Sequence, residues 1–177
     1  AEAWDGTPAS ELTQVDGVYQ ISNAAELALF AQKVNDGSLT TQDAVLTQDI
    51  NLNNKEWTPI GNSHNRYSGT FDGQNRLIKG LSITNSNDGN IGLFGDSQGT
   101  VVLKNLSVDG NINVKVPAEY AGSEMMTIGG IIGNSFAELC MLNCYSSVNI
   151  TLVINNEDIP ACIGGMCGAV THSSTLV

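Results

Sequence analysis

The residues best equipped for chemistry are four cysteines, a scatter of carboxylates and one mixed loop. Cys140 and Cys144 stand four residues apart. In an extended segment four steps span roughly 13 Å, beyond the reach of a disulfide. Cys162 and Cys167 fail on the same ground. Cys144 and Cys167 align with different repeated segments and are expected on different faces. The expectation is therefore four reduced thiols, buried as small hydrophobes. The alternative, open to an exported chain, is a bridge between adjacent strands. There is no CxxC and no neighbouring histidine pair, so no zinc site is expected.

Among the acids, Asp49, Asp72 and Asp109 occupy repeat or turn positions. Glycosidase chemistry needs two carboxyls about 5–5.5 Å apart for retention, or about 6.5–9.5 Å for inversion. No cluster of acids falls in register, so no catalytic residue is assigned. The stretches NSNDGN (85–90) and NNEDIP (155–160) offer oxygen ligands, but neither has the spacing of a calcium loop. Both read as solvated turns. In the loop NSHNRY (62–67), His64, Arg66 and Tyr67 are candidates to contact a glycan by stacking and hydrogen bonding. The competing reading is that Tyr67 begins a strand and Arg66 solvates a turn. There is no glycine-rich phosphate loop, nucleophilic serine elbow or HExxH. No cofactor is expected.

Composition narrows the partners. The net charge is −11, which disfavours nucleic acid and an anionic membrane surface. Charged residues are only 14%, against about 25% in an average globular chain. Asn, Ser, Thr and Gly fill the difference, as in stacked β architectures. The uncharged runs are too short and too rich in glycine to span a bilayer. The opening AEAWDGTP has no basic or apolar leader, so export implies that a signal was removed.

The elements that must position these residues fall into two regions. In residues 1–44, VYQI (18–21) alternates like a short strand. A helix is predicted over 24–35, with Asn23 as N-cap and Glu26 completing a capping box. Leu27, Phe30, Ala31 and Val34 form its apolar stripe, and Gly37 ends it. Residues 45–177 read as short strands broken by Gly, Asn and Asp, continuous with the first region as one domain.

Two sets of segments repeat. In the first, Gly69, Gly92, Gly130 and Gly165 align, followed two residues later by Phe71, Phe94, Ile132 and Cys167. In the second, Ile50, Leu81, Leu106 and Cys144 align, followed by Leu52, Ile83, Val108 and Ser146. Between these, Asn51, Ser82, Ser107 and Tyr145 are expected to point outward. Uneven spacing between copies implies surface insertions, one of them at 113–127. Strands stacked at roughly 4.8 Å place equivalent side chains in ladders. The fold class expected is all-β, a right-handed parallel β-helix with an N-terminal capping helix. Asn105 and Asn143 are expected to stack at a strand start and bond to backbone at the turn. Trp57 is expected under the cap.

The stretches WTPIG (57–61), YSGTFDGQNRLIKGLSI (67–83), IGLFG, IGGIIG and IGGMCG resemble proteins carrying GLUG repeats. The opening DGVYQISNAAELALFAQKVNDG does so too. The resemblance covers about residues 16 to 170. The copies after residue 120 are degenerate and cysteine-rich. The resemblance implies a secreted or surface-anchored protein of Bacteroides-type bacteria, often adhesin-like. The function expected is non-catalytic binding of a host glycan or a cell-surface or matrix protein. Alternatives are a polysaccharide-degrading β-helix enzyme and a purely structural stalk. The chain stops at THSSTLV, partway through the copy that begins at Ile163 and with no evident cap. The expectation is a truncated chain, a proteolytic fragment, or an end that pairs with another molecule, end-to-end self-association included.

Overall fold

The computed structural model describes residues 3–85, 89–117, 125–155, 159–170 and 175–176. Among the described residues the chain is mostly β, with one short helix. A hairpin opens it: β1 (Thr13–Val15) and β2 (Val18–Ile21) pair antiparallel across Asp16 and Gly17. Both turn residues have positive φ, +50° and +82°, as a two-residue hairpin demands.

Helix α1 (Ala24–Asn35) follows. The Asn23 side chain accepts the Glu26 N–H at 2.9 Å, and the Glu26 carboxylate reaches back to the Ser22 N–H at 2.6 Å. The reach-back lands one residue before the cap, so the expected box closes on Ser22. Gly37, at φ +91°, donates its N–H to the Val34 carbonyl and ends the helix. Leu27, Phe30, Ala31 and Val34 are all buried, as their spacing predicts.

Then come β3 (Ala44–Leu46), β4 (Ile50–Asn51), β5 (Thr70–Ile83), β6 (Asn90–Ile91), β7 (Phe94–Ser97) and β8 (Val101–Val116). They are followed by β9 (Met126–Gly129), β10 (Ile132–Ser135), β11 (Leu139–Ile154), β12 (Ala161–Gly164), β13 (Cys167–Val170) and β14 (Thr175–Leu176). The largest sheet runs β1-β2-β3-β5-β8-β11-β14, with β4 also on β5. Two smaller sheets run β7-β10-β13 and β6-β9-β12. Among the described residues, every strand pairing after the first hairpin is parallel. The chain visits the three sheets in the same order each time, as β6-β7-β8, β9-β10-β11 and β12-β13-β14. Their inward side chains form one hydrophobic core with α1. No break falls at residue 44, because β3 begins there and joins β2 to β5.

The ladders confirm part of the repeat alignment and correct the rest. Ile132 lies between Phe94 and Cys167, and Leu106 faces Cys144. Gly92, Gly130 and Gly165 occupy equivalent corners between the two small sheets. Gly69 and Phe71 belong elsewhere. Phe71 pairs with Ala44 and Leu103 in the large sheet, and Ile60 is the residue bridged to Phe94. Both kinds of corner need a glycine followed by an inward apolar residue, so one sequence pattern serves two places. Phe71 still meets Phe94 across the core, edge to face at 5.2 Å.

Ile50 pairs with Ile78 rather than Leu81, and Leu81 faces Gly110 rather than Leu106. The cause is two register shifts in β5, between Asp72 and Arg76 and between Ile78 and Leu81. Gly110, at φ +154°, is where Leu81 crosses. A Cβ there would stand 2.2 Å from the Leu81 carbonyl oxygen.

Asn105 and Asn143 do stack, but inside β8 and β11 rather than at a strand start. Both have φ +51°, which bends a strand that stays hydrogen-bonded. Their partners are side chains rather than turn backbone. Asn143 Nδ2 donates to Asn105 Oδ1 and Asn75 Oδ1, each at 3.0 Å, and Asn105 Nδ2 donates to Asp72 at 3.1 Å. The expected insertion at 113–127 is smaller than that range: β8 runs to Val116, with Val114 and Val116 buried against Leu152 and Ile154. At the other end β9 begins at Met126, and residues 118–124 lie outside the described residues.

Candidate functional site

A concave surface lies where three segments meet. The three are the N-terminal stretch 4–8, helix α1 and the segment 56–58. Between them is a cleft of about 460 Å³ lined by Trp4, Pro8, Ala28, Ala31, Gln32, Asn35, Asp36, Glu56, Trp57 and Thr58, with Gly6 at its edge. Local chemistry holds each wall. The Trp4 indole N–H donates to the Thr7 carbonyl at 2.8 Å, and Asn53 Nδ2 donates to the Trp4 carbonyl at 3.0 Å. The Ala9 N–H donates to the Ala25 carbonyl at 2.8 Å, tying the stretch to the helix. Trp57 is buried, and its indole N–H donates to the Leu93 carbonyl at 3.0 Å. The two indoles meet edge to face, with centroids 6.4 Å apart and planes at 60°.

Carboxylates frame this aromatic pair. Glu56 accepts the Thr84 N–H at 2.8 Å, the Asn85 N–H at 3.1 Å and the Thr84 hydroxyl at 2.8 Å. Asp36 accepts the Ser38 N–H at 2.9 Å, and Lys33 Nζ lies 3.8 Å away. Those Ser38 hydrogen bonds, with help from Lys33, hold the Asp36 carboxyl below the usual range. Asp36 is thus a carboxylate at neutral pH, an acceptor rather than a proton donor. Asn35 is spent on structure: it accepts the Gly61 N–H at 2.8 Å and donates to the Pro59 carbonyl at 2.9 Å. A second cleft of about 230 Å³ shares Glu56, Trp57 and Thr58 and adds Asn85 and Asn90.

The residues proposed from sequence do not converge. Tyr67 is corrected outright: it is fully buried between Phe30 and Phe94, and its hydroxyl donates to the Gln42 carbonyl at 2.9 Å. Burial and the nearby Asp43 push its phenol far above the normal range. It is core, the extended-chain reading of Tyr67, and is unavailable to a ligand. His64 is exposed, with Nδ1 3.2 Å from Ser63 Oγ. The half-buried Arg66 lays its guanidinium 4.1 Å over the Phe136 ring.

The cysteines form no disulfide, and all four are half-buried rather than buried. Cys144 and Cys167 belong to different sheets, as expected, and pack against the core, Cys167 from the edge strand β13 and Cys144 from β11, which β14 covers only at Cys140 and Met141. Burial raises the Cys144 thiol and pushes Cys167 up to about 11. Cys162 Sγ sits 3.6 Å from Met125 Sδ. No group of three or more potential metal ligands occurs among the described residues.

The candidate acids serve as staples. Asp49 accepts the Leu77 N–H at 3.0 Å. Asp72 is partly buried, which favours its neutral form, but the Gln74 N–H, the Asn105 amide and Lys104 outweigh this and lower its pKa. Asp109 faces outward on β8. The central residues of both proposed cation loops, 86–88 and 156–158, lie outside the described residues. Sequence reasoning missed the cleft because Trp4 and Trp57 are far apart in the chain, with no shared motif.

No family model and no solved structure matches the chain. Over 125 residues it is 33% identical to a protein of Evansella cellulosilytica provisionally described as a Gly-rich membrane protein. That alignment covers 68% of this chain and 14% of the relative's length. Among the described residues, no helix is long and apolar enough to cross a membrane.

Proposed function

We propose that the chain is a right-handed parallel β-helix of the GLUG-repeat kind, displayed at the bacterial cell surface, where it binds a glycan or a surface protein without catalysis. The observation that carries this reading is the three-sheet recurrence in matched register, with Phe94, Ile132 and Cys167 as one rung set and Leu106 and Cys144 as another. Parallel crossovers are right-handed in nearly all proteins, which sets the hand. Such a stack is stiff and presents a long outer face with Asn111 beside Asn149 and Ser107 beside Tyr145. The likeness to a Gly-rich membrane protein is compatible with a place at the cell envelope.

Binding is favoured over hydrolysis by the state of the cleft acids. A glycosidase needs one carboxyl with a raised pKa to act as acid. Asp36 is shifted the other way, and Glu56 is engaged by Thr84 and Asn85. The test is a glycan array probed with the intact chain, paired with an assay for new reducing ends or unsaturated uronates. Binding without product is expected. Product formation refutes the reading.

A further inference from the structure

We propose that the Trp4–Trp57 cleft is a saccharide subsite that takes a neutral pyranose ring against Trp4. The assignment rests on the glycan-binding reading above and names the place and ligand class within it. Trp4 is only partly buried, yet it is tied down at its indole N–H and at its carbonyl. A ring held this way loses little freedom when a ligand stacks on it. Trp57 is the buried backstop.

The volume of about 460 Å³ falls in the range of small-molecule sites, roughly 300–1,000 Å³. The exposed Gln32 amide and Thr58 hydroxyl, with the Asp36 carboxylate, offer both donors and acceptors to sugar hydroxyls. Charge selects the class: Asp36 and Glu56 on the rim repel uronates and other acidic sugars. The adjoining cleft across Glu56–Thr58 gives room for the next ring of a chain.

The experiment is calorimetry and tryptophan-fluorescence titration of the intact protein. The probes are neutral gluco-, manno-, xylo- and galacto-oligosaccharides, oligogalacturonate, and choline as a cation that also favours aromatic sites. A neutral oligosaccharide is expected to bind at least tenfold more tightly than oligogalacturonate. Trp4→Ala should weaken it at least tenfold, and Trp4→Phe less. Gln32→Ala, at an exposed helix position that leaves folding intact, should weaken it about threefold or more. If a glycan binds and both Trp4→Ala and Gln32→Ala leave its affinity unchanged, the cleft assignment falls and the broader reading stands. Preference for choline or for the uronate also overturns the assignment. If no glycan binds the folded chain, the cleft assignment falls together with the glycan half of that reading, and binding of a surface protein is what remains of it.

Discussion

Replacing Phe94 with alanine tests whether cap helix, large sheet and small sheet share one interior. Phe94 is fully buried on β7, with its ring 5.2 Å from Phe71 on β5 and 5.6 Å from Tyr67. Both neighbours touch Phe30 of α1, at 6.3 Å and 6.0 Å. A buried Phe→Ala change costs about 3–5 kcal/mol through lost transfer energy and the cavity left behind. Two aromatic contacts, each worth about 0.5–1.5 kcal/mol, place this site in the upper part of that range, about 4–5 kcal/mol. For 177 residues that lowers Tm by about 10–15 °C. It also removes a large share of a typical stability of about 5–15 kcal/mol. Urea denaturation followed by circular dichroism measures it. Phe30→Ala supplies the second arm: Phe30 and Phe94 share Tyr67 and Phe71, so the double variant should depart from additivity by about 0.5 kcal/mol or more. A loss below about 1.5 kcal/mol for Phe94→Ala, or strict additivity with Phe30→Ala, would refute the common core.

The other predictions concern single positions. Gly130→Ala places a Cβ 2.5 Å from the Gly165 carbonyl and should destabilise by about 1–3 kcal/mol, whereas Gly165→Ala meets nothing within 4 Å and should stay within about 0.5 kcal/mol in the same urea assay. Tyr67→Phe removes the bond to Gln42 and should cost about 0.5–1.5 kcal/mol without changing glycan affinity; lost binding with intact stability would restore Tyr67 as a contact. Cys167 should alkylate half-maximally near pH 11, against about 9 for an ordinary thiol, as read by peptide mass spectrometry after iodoacetamide pulses. The folded thiol holds its proton more tightly than the unfolded one. Its contribution to stability is therefore whole below about pH 9 and lost as pH rises toward 11. Asp72 has the opposite sign. Its depressed pKa stabilises the fold above the ordinary carboxyl range and is lost as pH falls through the lowered value, so Asp72→Asn should flatten the acid limb of a stability–pH curve.

Local rules made part of this molecule readable from residues alone. Helix 24–35 follows from its cap, its stripe and Gly37, all of which act within a few residues of each other. The alternation around Leu106 and Cys144 and the corners at Gly92, Gly130 and Gly165 were legible because each copy carries its own short pattern. Three things were decided only in the tertiary structure. The register of β5 depends on extra residues absorbed at Gln74, Asn75 and Gly80, all at positive φ, and this moved Ile50 onto Ile78 and Leu81 onto Gly110. The glycine–aromatic pattern at 69–71 serves a different corner from the one at 92–94, and only the pairing of Phe71 with Leu103 tells them apart. The cleft exists because Asn53 and Ala25 anchor the first residues beside Trp57. Sequence periodicity records which side chains face inward. It does not record which distant segment they meet, because that is set by close approach between backbones whose partners lie dozens of residues away.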